Sequence, residues 1–449
     1  MSQIPRSLKG YIAVSGVAAA FAAAVAAQSA PFKELAFAET GRLRFVGSPR
    51  ANAGATSQAL PKRIPAGEYS LEYARRVLVP AMGGSIAIGD FDGDGRLDLY
   101  VVHPAGANSL LRNRGEGVFE DVTAKAGAPG YEGSLSATFA DYDRSGRPSL
   151  FVTGASGIAL YRNNGNGTFS DVTRKAGLQT NPGELCTQAV LADVNGDGLP
   201  DLLVTVYTDL NHPPAQPGFT FPNDFSGAET RLYRNNGDGS FTEMTKASGI
   251  AGNIGRARHA LVADLNADGR PDLLILRDDR PPALYINRGN FSFEDGTWKA
   301  GEALTRHAFF DGAVADFNQD GKPDVALWST MSFKVLLNTG KAVFSLADTL
   351  PFLPQFDNPF GFHGVVADLD GDGRPDILDV DVEGRWRAVI NQGGRFMEIP
   401  FLIKPASGGS SMPAAAVYPA KLDMKDNIRL LALHPDSRIT ALDRVGGNP

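Results

Sequence analysis

The chain has 449 residues, a formal net charge of −7, 51 glycines and a single cysteine, Cys186. One cysteine excludes an intrachain disulfide framework, and no basic run offers a nucleic-acid footprint. Length alone suggests about three domains, but an internal repeat argues for one.

Arg6 and Lys9 precede an alanine-rich apolar run from Tyr11 to Ala27, which ends in the small residues Val25-Ala26-Ala27. A spanning helix needs ~20 apolar residues, and this run is shorter and only mildly hydrophobic. Residues 1–27 are therefore expected to be a signal peptide, with an uncleaved N-terminal anchor as the alternative. No cysteine follows the run, so a lipoprotein anchor is excluded. The product would be exported: periplasmic, secreted or at the cell surface. Residues 28–449 are expected to form one domain.

Pro31 to Gly41 reads PFKELAFAETG and matches the last strand of each later unit, such as VFEDVTAKAG at Val118–Gly127. Residues 47–80 form an irregular connector with a short helix expected at Tyr69–Val77. The first full unit follows. Strands are expected at Ser85–Gly89, Leu99–Val102, Ser109–Arg112 and Val118–Val122, designated A to D. Between A and B lies Asp90-Phe91-Asp92-Gly93-Asp94-Gly95-Arg96-Leu97-Asp98. It places carboxylates at positions 1, 3, 5 and 9 and a glycine, which tolerates positive φ, at position 6. Calcium takes six to eight oxygen ligands, and carboxylates on alternate residues of a tight loop converge on one point. Arg96 at position 7 would offer only its backbone carbonyl. There is no glutamate at position 12, so the loop is not an EF-hand.

The first position recurs at Asp90, Asp141, Asp193, Asp264, Asp316 and Asp368, with gaps of 51, 52, 71, 52 and 52 residues. A period near fifty marks a repeat architecture. Five loops carry a full donor set: Asp90, Asp92, Asp94 and Asp98; Asp193, Asn195, Asp197 and Asp201; Asp264, Asn266, Asp268 and Asp272; Asp316, Asn318, Asp320 and Asp324; Asp368, Asp370, Asp372 and Asp376. Loop two keeps Asp141 and Asp143 but has Ser145 and Ser149, and it is not counted among the five. A seventh copy at Lys421–Arg429 has lysine or arginine at positions 1, 5 and 9 and should bind no calcium. One such loop could be an ordinary Asx turn, but five in register argue for about five Ca²⁺ with a structural role. Without residues 1–27 the net charge is −9, and five bound calcium ions bring it to +1, so the acidity is accounted for without a basic partner.

A turn recurs between strands C and D, at Asn113/Gly115, Asn163/Gly165, Asn235/Gly237, Asn287/Gly289, Asn338/Gly340 and Asn391/Gly393. Asn and Gly are expected to supply its positive φ. The phenylalanines that follow, Phe119, Phe169 and Phe241, should pack between neighbouring units. With MGGSIAIGDFDGDGRLDLYVV and LYRNNGDGSFTEMTKASGI, the chain resembles the FG-GAP/VCBS repeat family, integrin α-like calcium-loop propellers, and within it the cartilage acidic protein-like branch. The resemblance implies an all-β, seven-bladed β-propeller with calcium in the A–B loops, used for extracellular binding or adhesion. Unit seven lacks an outer strand, and Phe32–Ala38 is expected to supply it and close the ring. The C-terminal module frequent in that branch is not matched, so its functions are not carried over.

Two irregular features point to a ligand face away from the calcium loops. Five residues before each loop stand Ser85, Ser136, Gln188, His259, Asp311, His363 and Ala416. His259, Asp311 and His363 come from adjacent blades and could hold a metal or an acid/base pair, against a plain hydrated channel mouth. Unit three carries an insertion at 207–227, rich in proline and phenylalanine. It is either a recognition loop with Phe219 and Phe221 as anchors or a lid packed on its own blade. The first alternative predicts that its replacement leaves the melting temperature nearly intact. No catalytic residue is assigned. The chain reads as a scaffold for a protein or glycan ligand. The alternatives are a propeller-type polysaccharide lyase or hydrolase, and a lectin in which calcium bridges the sugar.

Overall fold

The computed structural model describes residues 35–39, 44–46, 64, 69–179, 181–214, 218, 220–329, 333–347, 364–380, 386–404, 416–420, 429–433 and 439–444. The 1–27 segment, most of the 47–68 connector, Phe219, His363 and the seventh loop lie outside them. Repeat one consists of strands A to D at Ile86–Gly89, Asp98–Val101, Ser109–Asn113 and Val118–Asp121, each antiparallel to the next. These bounds match the sequence expectation to within a residue. Strand A begins five more times, at Ser134–Ala140, Glu184–Ala192, Ala257–Ala263, Asp311–Ala315 and Val365–Ala367, each time opening a four-stranded antiparallel sheet.

In the seventh group, Ala416–Ala420, Arg429–Leu433 and Ile439–Arg444 pair in order. Its fourth strand is Leu35–Glu39, antiparallel to Ile439–Arg444 with Phe37 opposite Arg444. The N-terminal strand thus joins the last group, as its sequence suggested. Its second edge does something the sequence did not suggest. It pairs in parallel with Phe396–Lys404, the outer strand of repeat six, so the sixth and seventh groups form one eight-stranded sheet. A strand has two edges, and an unpaired edge is an exposed row of donors and acceptors. The chain then crosses to repeat one, where Arg44–Val46 lies parallel to Val118–Asp121.

Alternation along each strand sends apolar side chains to both faces, so the cores form between sheets. Phe91, Phe139, Tyr161 and Phe169 belong to one cluster shared by repeats one and two. Phe151, Tyr142, Tyr233 and Phe241 belong to the next, shared by repeats two and three. Phe169 meets Phe91 at a centroid distance of 5.9 Å, Phe241 stacks on Tyr142 at 5.6 Å, and Phe396 meets Phe317 at 5.8 Å. Phe169, Phe241 and Phe396, after the C–D turns of repeats two, three and six, are therefore bolts into the preceding repeat, each such burial worth about 1.5–3 kcal/mol.

The connector is helical from Leu71 to Met82. Ser70 caps Leu71–Tyr73, accepting from Tyr73 N at 3.0 Å, and turns at Ala74–Leu78 and Pro80–Met82 continue it. Ala74, Leu78, Val79 and Met82 face one way and are buried with Leu135, Leu185, Tyr207, Leu210, Phe221 and Phe225. Leu135 and Leu185 lie at the beginnings of strands A in repeats two and three, so this cluster sits at the end opposite the A–B loops. Among the described residues no helix is long and apolar enough to cross a membrane.

Candidate metal centres

The A–B loops are held by their own carboxylates. Asp90 at position 1 accepts from Gly93 N and Asp94 N through Oδ1 and from Gly95 N through Oδ2, at 2.8, 3.1 and 2.8 Å. Equivalent bonds fold the loops headed by Asp193, Asp264, Asp316 and Asp368. Gly95 at position 6 has φ 86°, as a sharp turn requires. Position 4 is left-handed too, and there Ala267 and Gln319 adopt φ 61° and 58° without being glycine.

Position 9 plays a different part from the other three. Asp98, Asp201, Asp272, Asp324 and Asp376 are at most 1% exposed. Each accepts through Oδ2 from the backbone of position 2 and through Oδ1 from the asparagine that opens the C–D turn. In repeat one these bonds are Phe91 N at 3.1 Å and Asn113 N at 2.7 Å. Burial pushes Asp98 and Asp376 up to about 8, Asp201 to about 7, and Asp272 and Asp324 to about 6, against the lowering effect of the two N–H donors. Position 9 is thus a buried charge that costs free energy unless a positive partner stands beside it.

Two loops gather three carboxylates with ligand oxygens within 4.8 Å of one another: Asp90, Asp92 and Asp98, and Asp368, Asp370 and Asp376. Both Asp92 oxygens are buried without an aligned hydrogen-bond donor, and the Arg112 guanidinium is their charge partner. In loops three, four and five, position 3 is Asn195, Asn266 or Asn318, whose Oδ1 accepts from the position-5 N–H at 2.9, 3.0 and 3.0 Å. Oxygen-only donors converging on one point and the mutual repulsion of their carboxylates fit a hard divalent cation such as calcium.

Position 7 contributes more than a carbonyl. Arg96, Arg270, Lys322 and Arg374 turn back onto Asp94, Asp268, Asp320 and Asp372, and Arg96, Arg270 and Arg374 also donate to the carbonyl of the turn asparagine. Loop two shares an arginine on position 3 with loop one, where Arg112 meets Asp92, and differs at position 9. Arg162 Nε binds Asp143 at 2.9 Å, and Ser149 Oγ replaces the buried aspartate, accepting from Asn163 N at 3.1 Å. Although burial raises the Asp143 pKa, hydrogen bonds from Ser145 and Arg162 hold it below the usual range.

The turn asparagines differ from expectation. The positive φ belongs to glycines, such as Gly115 at 85° and Gly165 at 80°, and not to Asn113 or Asn163. The asparagine side chain instead binds three backbones. Asn163 Oδ1 accepts from Gly165 N at 2.9 Å. Its Nδ2 donates to Pro148 O at 2.9 Å and to Phe91 O, in the preceding repeat, at 2.7 Å. Nothing in the spacing distinguishes this from a turn former.

Of the set five residues before each loop, Ser85, Ser136, Gln188, His259 and Asp311 are all under 8% exposed. Ser136, Gln188 and His259 each follow a β-bulge in strand A, which re-aims the side chains after it. His259 Nδ1 meets Asp311 Oδ1, and Gln188 Oε1 accepts from Ala260 N at 2.8 Å. These contacts stitch neighbouring A strands together. His363 lies outside the described residues, so the structure brings together two of the three.

The insertion is a packed lid where it is described, which corrects the expectation of an exposed anchor at Phe221. Phe221 and Phe225 are 3% exposed, 5.3 Å apart between ring centroids, and Tyr69 reaches over from the connector to donate to Leu210 O at 2.5 Å. Repeat four grips the other side. Arg256 Nη1 donates to Pro222 O and Asn223 O at 3.1 and 3.2 Å, while its Nε binds Asp278 at 2.6 Å. Cys186 is buried as expected, and burial pushes its thiol up to about 12, outside nucleophilic range at neutral pH.

Comparison with solved structures gives two likenesses. The BP39L lectin from Burkholderia pseudomallei is 11% identical over 82% of this chain and 97% of its own, with a TM-score of 0.53. BBS1N, solved in complex with ARL6DN, is 12% identical over 82% of this chain and 95% of its own, with a TM-score of 0.50. Both agree with a propeller-like all-β fold. The FG-GAP-like repeat model matches five times, at residues 90–152, 145–204, 223–275, 264–327 and 316–378, together more than half of the chain. With that match falling on the carboxylate loops and on the strands that frame them, the chain belongs to the FG-GAP-like repeat family.

Proposed function

We propose that this chain is an exported, calcium-stabilised β-propeller of seven blades that serves as a scaffold for binding a protein or a glycan. The observation that carries the reading is register: five loops at one end repeat Asp or Asn oxygens at positions 1, 3, 5 and 9, two of them with three carboxylates already converged, around a buried position-9 aspartate that lacks a countercharge of its own. Calcium bound there would neutralise the carboxylates and tie both ends of each loop together. Ring closure is supported by Leu35–Glu39 in the last sheet and Arg44–Val46 on the first. Export is supported by the Tyr11–Ala27 run and by weak calcium loops, which fill where calcium is near millimolar. One structural neighbour is a lectin, which makes glycans the first ligand class to test.

The scaffold reading is favoured over a polysaccharide lyase or hydrolase by the His259–Asp311 pair, which is shut off from a polymer substrate. It is favoured over calcium-bridged sugar binding by loop two, where Ser149 stands in place of the position-9 aspartate. The partner face is proposed at the end opposite the loops, where insertion and connector form an irregular cap, with Phe221 removed from the candidate anchors. The test is metal content by mass spectrometry after dialysis in millimolar calcium, followed by a glycan array and a pull-down with calcium or EGTA. About five ions per chain are expected. Retention of none would end the calcium reading.

A further inference from the structure

The side-chain amides of five turn asparagines reach back to the loop of the repeat before. Asn163 Nδ2 donates to Phe91 O, Asn235 to Tyr142 O, Asn287 to Val194 O and Asn338 to Leu265 O, all at 2.7 Å, and Asn391 to Phe317 O at 2.6 Å. All five asparagines are at most 2% exposed. The carbonyl taken is always that of loop position 2. Its peptide plane carries the N–H of position 3, and position 3 bears a donor oxygen of that loop. In loops one, three, four and five the N–H of position 2 is also committed, to the buried aspartate of its own repeat: Phe91 N to Asp98, Val194 N to Asp201, Leu265 N to Asp272 and Phe317 N to Asp324. Position 2 is therefore clamped on one side by its own repeat and on the other by the next.

We propose that Asn163, Asn287, Asn338 and Asn391 are positioning residues for the cation sites of the preceding repeats, loops one, three, four and five, so that neighbouring loops fill as coupled sites. The inference rests on the calcium reading above. The bonds run unbroken from loop three to loop six. Val194 O takes Asn287, whose N–H binds Asp272 at 2.8 Å; Leu265 O takes Asn338, whose N–H binds Asp324 at 2.7 Å; Phe317 O takes Asn391, whose N–H binds Asp376 at 2.8 Å. Between loops one and three the relay is broken, because Ser149 replaces the aspartate in repeat two. Loops three to six form one coupled run, and loop one stands apart, held only by Asn163.

Repeat two provides the clean test, because the loop of Asn163's own repeat is not one of the five cation sites. Any cation lost from Asn163→Ala must be lost from loop one, across the boundary between repeats. The full chain is titrated with calcium in a buffered series, with ion content and melting temperature read at each point. Asn163→Ala is expected to weaken one site about tenfold, the range seen when a group that orients a ligand is removed, and to leave the other four unchanged. Leu160→Ala, buried on the same strand, should lower the melting temperature yet keep the wild-type titration. Should Asn163→Ala not fold, Asn163→Ser, too short to span to Phe91 O, is read in the same way. If wild type binds no calcium, the calcium reading fails and this inference with it. If wild type binds and the asparagine variant superimposes on it, or behaves as Leu160→Ala does, the inference alone is overturned.

Discussion

His259 and Asp311 join the A strands of repeats four and five through a single buried contact, with side chains 6% and 1% exposed. Removing the carboxylate leaves a buried imidazole without its partner. Asp311→Ala should cost about 2–4 kcal/mol, seen as a lower melting temperature both with calcium and with EGTA. A melt that does not move would place the contact outside the stabilising set.

Calcium should account for a large share of the stability. A site held at ten times its Kd contributes about 1.4 kcal/mol, so five independent sites give ~7 kcal/mol, against a typical net stability of about 5–15 kcal/mol. Exhaustive EGTA treatment is expected to lower the melting temperature by roughly 8 °C, given about 2.1 cal/mol/K of unfolding entropy per residue. An unchanged melt excludes a structural role for the ions.

The calcium-free protein should be steadier in mild acid. Five position-9 aspartates titrate between about 6 and about 8 in the folded chain, against about 4 when unfolded. Between those limits the folded state binds more protons than the unfolded state, so stability falls as pH rises through the folded values. In EGTA, melting at pH 5.5 should exceed melting at pH 8. Saturating calcium should shrink or reverse the difference, because the cation replaces the proton. The opposite slope in EGTA would mean that these carboxylates are ionised without cost.

Replacing the insertion should damage the fold. Phe221 and Phe225 share a core with Leu78 and Tyr207, and Phe→Ala at such sites costs about 3–5 kcal/mol. Phe221→Ala or a short Gly/Ser turn in place of 211–226 should therefore lower the melting temperature clearly. If the melt is preserved, the insertion is not a packed lid.

Ala267 offers a stabilising change. Its φ of 61° costs a side-chain-bearing residue roughly 1–2 kcal/mol that glycine does not incur. Ala267→Gly should raise the melting temperature slightly and leave calcium content unchanged. A lower melt would show that the methyl group contributes more than the strain removes.

The strands and loops were legible because their signals are local: alternating apolar residues, glycine at a turn, carboxylates at fixed spacing. What the sequence hid acts across distance. Asp98 looks like one more ligand beside Asp90, and only the fold shows it accepting from Asn113 in the core. Asn163 looks like a turn former because its contact with Phe91 joins residues 72 positions apart. The short helix expected at Tyr69–Val77 is present, but its role was unreadable because its partners, Phe221 and Phe225, come from an insertion far along the chain. The bulge before His259 has no signature in one sequence, since one extra residue in a strand changes direction rather than composition.

The pairing of Leu35–Glu39 with Ile439–Arg444 sets an order of events during biosynthesis. Among the described strands, the earliest in the chain pairs with the latest, about 400 residues on. Six sheets can assemble from contiguous chain while that early segment waits with both edges unpaired. Among the described pairings this is the longest loop closure, the slowest kind of contact to make. Until it happens, the waiting strand is open to pairing with another copy, so the final step guards against aggregation as much as it completes a sheet.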